Sequence, residues 1–85
     1  MEKRVALMGV MVENKKDIAK LNELLHEHSE YIIGRMGIPH ASGDISIISV
    51  AMEAPEQIIC ALSGKIGMLK GIHSKVIYAK NTKKY

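Results

Sequence analysis

The chain is 85 residues long, 47% hydrophobic and 25% charged, the balance of one small folded domain rather than of a disordered segment. Its longest early apolar run, Val5 to Val12, stops at Glu13, too short for a membrane span and without the cleavage site of a secretory signal. The single Cys60 excludes an internal disulfide framework, and the chain reads as cytoplasmic, with no membrane partner. Phe and Trp are absent, so the core must be built from Ile, Leu, Val, Ala and six Met.

The formal charge is +3 and is unevenly placed: from Gly64 onward there are six Lys and no acid. Such a stripe could displace counterions from nucleic-acid phosphates. Two Arg in the whole chain, however, are few for bidentate recognition. The simpler reading is a solvated strand and tail, which argues against direct nucleic-acid binding.

In chain order, Arg4 to Val12 is a β-branched, apolar strand. Asn14, with Asp17 three residues on, has the form of a helix start. Ile18, Leu21, Leu25 and Ile32 recur at helical spacing, which predicts a helix from Lys15 to about Ser29. Ile32 to Met36 is expected as a second strand, with Gly37 and Pro39 marking its exit. Ala41-Ser42-Gly43-Asp44 is a turn cluster, and Ile45 to Met52 a third strand. Pro55 suits the first turn of a second helix, whose stripe is Ile58, Ile59, Leu62, Ile66 and Leu69. Gly71 ends it, and Ile72 to Ala79 is the last strand. Residues 1–80 then form a single domain, and residues 81–85 a polar tail.

The order βαββαβ in so short a chain points to an α+β, ferredoxin-like sandwich: a four-stranded antiparallel sheet with both helices on one face. In that topology the first and third strands are central. Both are apolar on both faces, whereas the edge strands carry Arg35, Lys75 and Lys80. Two helices cover one face only. An apolar second face marks an interface, so a homo-oligomer, dimer or tetramer, is expected through that face or an edge strand.

The segments Leu24-Leu25-His26-Glu27, Gly34-Arg35-Met36-Gly37-Ile38-Pro39, Ile45-Ser46-Ile47-Ile48 and Leu62-Ser63-Gly64-Lys65-Ile66-Gly67 with Gly71-Ile72 resemble one protein family. It comprises the small stand-alone regulators of iron-only hydrogenase systems, which are ACT-like proteins. Their fold is similar to that of the C-terminal domain of nickel-responsive repressors. The resemblance covers about Val5 to Ala79. It implies a regulatory role and, as in ACT-like modules, a small-molecule site at a subunit interface. The metal site of the nickel-responsive domains does not carry over, because their His-x-His strand reads Ile32-Ile33-Gly34-Arg35-Met36 here.

On the second helix, Cys60, Gly64 and Gly67 cluster opposite the apolar stripe. Glycine in a helix costs about 1 kcal/mol relative to alanine. Either something approaches this side closely, or the helix ends early at Ser63 or Gly64 and the glycines cap it. Arg35, between Gly34 and Gly37, and Lys65, between Gly64 and Gly67, are the candidates for holding a small anionic ligand. Alternatively, both are plain surface charges. The Gly-x-x-x-x-Gly-Lys-Ser/Thr spacing of a nucleotide cradle is absent.

His28 falls on the apolar side of the first helix as a half-buried core histidine, His26 faces solvent, and His40 and His73 stand isolated. No nucleophile has a base beside it in sequence, so catalysis is not expected. The expected function is a non-catalytic regulatory or ligand-sensing module, its cofactor unspecified. The alternatives are a metal sensor or a scaffold for a protein partner. One domain leaves no room for a helix-turn-helix, so any transcriptional role would work through another protein.

Overall fold

The computed structural model describes residues 2–80, and for residues 40–42 the backbone course alone. The polar tail expected at 81–85 lies outside the described residues.

Strand β1 (Lys3–Val12) alternates buried and exposed positions along its length. Ala6, Met8, Val10 and Val12 point into the core and Val5, Leu7, Gly9 and Met11 point away. Asn14 then caps a single 3-10 turn, Lys15–Asp17, its side-chain oxygen accepting the Lys16 N–H at 2.8 Å. Helix α1 (Ile18–Glu27) buries Leu21 and Leu25. The helix expected over Lys15 to Ser29 is thus a 3-10 turn followed by a shorter α-helix, and a second 3-10 turn, Ser29–Tyr31, leads into the next strand.

Strand β2 (Ile32–Ser42) is longer than its sequence suggests, because Gly37 and Pro39 lie inside it rather than at its exit. The reason is position. β2 is an edge strand, and between Ile38 and Ser42 its pairing is irregular, so the missing N–H of Pro39 interrupts little. Strand β3 (Ile45–Pro55) repeats the two-sided pattern of β1, burying Ile48, Val50, Met52 and Ala54. Pro55 ends β3 and stands one residue before helix α2 (Glu56–Gly67) rather than within its first turn. Strand β4 (Ile72–Tyr78) stops before Lys80, although Ala79 still donates its N–H to the Val5 carbonyl at 2.9 Å.

The sheet order is β2-β3-β1-β4, every pair antiparallel, and the two helices share one face. This is the ferredoxin-like sandwich. One core joins Leu21 and Leu25 of α1 and Ile59, Leu62 and Ile66 of α2 to the buried side chains of β1 and β3. Ser74 of β4 donates to the Ser63 carbonyl at 3.0 Å and shares a 2.9 Å hydrogen bond with the Ser63 hydroxyl, tying α2 to the edge strand.

Gly71 closes the turn before β4 at a φ of 70°, in the left-handed region that favours glycine. A Cβ there would also run into Asn14. The approach is held by the Glu13 N–H donating to the Gly71 carbonyl at 2.7 Å and by the Lys70 N–H donating to Asp17 at 3.0 Å. Among the described residues, no helix is long and apolar enough to cross a membrane.

Candidate functional site

The alternation that buries one side of β1 and β3 leaves an apolar sheet face on the other. Leu7 is 47% exposed, Met36 61% and Ile77 69%, and Val5, Met11, Ile33 and Ile38 are exposed as well. The register fixes how they meet. Ile77, Leu7 and Ala51 face one another across β4, β1 and β3, with Gly34 of β2 beyond them. In the next row stand Lys75, Gly9, Ser49 and Met36, and after it His73, Met11, Ile47 and Ile38. Gly9 makes a hollow of about 220 Å³ in the middle of this face, walled by Met11, Ile47, His73 and Lys75. His73 is not isolated: its Nε2 lies 3.5 Å from Glu13 at the rim.

The residues suggested for anion binding fall into two groups. Arg35 and Gly37 sit on β2 opposite Val50 and Ile48, beside a shallow groove of about 210 Å³ shared with Ile38, Pro39 and Ser46. Gly64, Lys65 and Gly67 sit on the exposed side of α2. The helix continues to Gly67, so Gly64 is a true interior glycine and not a cap. Beyond the adjoining residues and the helix's own backbone, nothing among the described residues comes within 4 Å of where a Cβ would stand at Gly37, Gly64 or Gly67. The chain does not unite the two groups, since α2 packs chiefly on β4 and Arg35 lies on the opposite edge of the sheet. Three strand spacings separate those edges, about 14 Å. Among the described residues, neither Arg35 nor Lys65 forms an ion pair. Lys65 and Lys75 also lie on opposite sides of the sheet, so the late lysines do not form a single stripe.

A polar cluster that no sequence spacing announces joins the start of β1, the start of α2 and the end of β4. The Arg4 guanidinium bonds Glu56 at 3.1 Å and lies 4.3 Å over the Tyr78 ring. The Tyr78 hydroxyl is 3.3 Å from the Cys60 sulfur. That hydrogen bond, with burial and the nearby Cys60 and Glu56 adding to it against the opposing pull of Arg4, pushes the phenol up to about 12. The phenol therefore keeps its proton at neutral pH.

His28 is half-buried at the end of α1, where its Nδ1 donates to the Leu24 carbonyl at 2.8 Å, and His26 is exposed. The side chain of His40 lies outside the described residues. Among the described residues, no three His, Cys, Asp or Glu side chains come together as a metal site.

A family model described as "TM1266-like: Iron-only hydrogenase system regulator, putative" matches residues 4–76. The structure of the uncharacterized protein TM1266 from Thermotoga maritima is similar at a TM-score of 0.87 and 35% identity, over 93% of this chain and 100% of that one. A formyltetrahydrofolate deformylase from Pseudomonas putida KT2440 is similar at a TM-score of 0.63 and 10% identity. That match spans 91% of this chain but 29% of the deformylase, a likeness of fold alone. A comparison with curated proteins finds no significant match. The chain belongs to the TM1266-like family of iron-only hydrogenase system regulators.

Proposed function

We propose that the chain is a non-catalytic, cytoplasmic regulatory module of an iron-only hydrogenase system. It works as a homo-oligomer, with a small anionic ligand held where subunits meet. The observation that carries this reading is the uncovered apolar sheet face, from Val5, Leu7 and Met11 across to Met36 and Ile77, which a lone chain would leave in water. Family membership supports the regulatory role.

Arg35 with Gly37, and Lys65 with Gly64 and Gly67, are the residues proposed to contact the ligand. Within one chain they stand apart, so a ligand touching both groups requires a second subunit contact beside the sheet-face contact, the Arg35 edge of one chain meeting the α2 flank of another, as a tetramer would supply. Binding there would favour one subunit arrangement over others, so the signal is a population shift and requires no chemical step.

Native mass spectrometry of protein purified without oxygen and without chelator tests this. An oligomer carrying a small-molecule mass that Arg35→Ala loses is the expected result. Retention of that mass by both Arg35→Ala and Lys65→Ala would remove this site. A metal mass would favour a metal sensor, and a bare oligomer a scaffold for a protein partner.

A further inference from the structure

Gly9 lies in the middle of central strand β1, paired with Ser49 on one side and Lys75 on the other. Glycine weakens a strand there, because it gives up the most chain freedom on folding and supplies no side chain to pack. The usual structural reasons for tolerating it are missing. Its φ is not positive, since among the described glycines only Gly43 and Gly71 have that property. The pairing of β1 with β3 and with β4 runs through it without a bulge. A Cβ at this position would meet nothing within 4 Å. Nothing in the chain itself requires a glycine. The remaining reason is close approach from outside.

We infer that the Gly9 hollow is a socket for a side chain of a second copy of this chain, packed sheet face to sheet face. The inference rests on the oligomer proposed above and specifies its contact surface as the open face rather than an edge strand. Three observations choose this occupant. The face is large enough: β1 and β3 run 10 and 11 residues, and at the usual strand rise and spacing four strands give about 600 Å² per chain. Two copies would bury about 1,200 Å², the lower bound of stable interfaces. The face is self-complementary, its charges being few and of both signs, with Lys75 and His73 toward one edge and Glu53 and Glu13 near its two ends. It also carries its own knobs. Met11, two residues from Gly9 at the wall of the hollow and 46% exposed, is unbranched and adaptable, and a two-fold axis beside Gly9 would let each copy insert it into the other. The β2 edge is poorly suited to pairing, because its register shifts after Ile32 and again after Ile38.

Sedimentation equilibrium of the wild type, Gly9→Leu, Gly9→Ala and Gln57→Leu tests the inference, with circular dichroism to follow folding. Gln57 is exposed on α2 and adds the same apolar group on the helix layer. The inference predicts that Gly9→Leu folds and raises the dimer Kd by about 10-fold or more, as overpacking does. Gln57→Leu should leave the Kd unchanged. If Gly9→Leu misfolds, Gly9→Ala decides, and a single methyl should still weaken association several-fold. Wild type and Gly9 variants associating equally would overturn the socket and leave the oligomer standing. A wild type that stays monomeric would overturn both. Loss of a bound small molecule in Gly9→Leu, with association unchanged, would make the hollow a ligand site and overturn the socket as well.

Discussion

Gly71→Ala tests the packing of the turn before β4 against the segment that follows β1. Two separable effects oppose alanine there. At a φ of 70° the added Cβ meets its own backbone, a cost of about 1–2 kcal/mol. It also meets Asn14 at Cβ, and the Asn14 backbone N and Cα at 3.1 and 3.2 Å, so relief requires the backbone to move rather than a flexible side chain to swing. Displacing Asn14 strains the Glu13–Gly71 hydrogen bond and the Asn14 cap on Lys16, adding about 1–3 kcal/mol. The total of about 2–5 kcal/mol is a large part of the 5–15 kcal/mol stability of a small domain. Gly43→Ala is the reference, because Gly43 has a φ of 60° with nothing within 4 Å of a Cβ. In urea unfolding at matched protein concentration and a slope of about 1.5 kcal/mol per M, Gly71→Ala should lower the midpoint by about 1–3 M and Gly43→Ala by about 1 M. Equal shifts would refute the close approach of Gly71 to Asn14.

Leu62 is fully buried and Leu7 lies on the open face, so Leu62→Ala should cost about 2–5 kcal/mol in chemical unfolding. Leu7→Ala should show its main loss in association. A Leu7→Ala variant with unchanged association would remove that side chain from the interface. Tyr78 holds its proton more tightly in the folded chain than in the unfolded one, where the usual value is 10.0. The folded state therefore gains from the neutral phenol below about pH 10 and loses that gain as pH rises toward about 12. Stability of the wild type should fall relative to Tyr78→Phe over this window, and parallel curves would mean that the Cys60–Tyr78 bond contributes nothing.

The fold was legible because three signals agreed: two-sided alternation in β1 and β3, helical stripes between them, and Gly71 as a stop. Asn14 could be read as a cap because a side-chain acceptor ahead of a helical pattern has a local partner. The extent of β2 was not legible. Glycine and proline ordinarily end a strand, and only the edge position, a property of the whole sheet, makes Pro39 tolerable. The Arg4–Glu56–Tyr78–Cys60 cluster was hidden for a related reason, since it depends on register and on how α2 leaves β3. Arg35 and Lys65 could be picked out as charges among glycines. That they stand on opposite margins of one chain depends on the strand order and on α2 leaning toward β4, which no local spacing carries.

The central claim is that the open sheet face is covered by another copy of the chain. Sedimentation equilibrium of the wild type beside a Leu7→Glu, Met11→Glu double variant tests it most directly. A stable wild-type oligomer that the two charges convert into folded monomers is the predicted result. A wild type that sediments as a monomer, or a double variant that associates as tightly as the wild type, would contradict it.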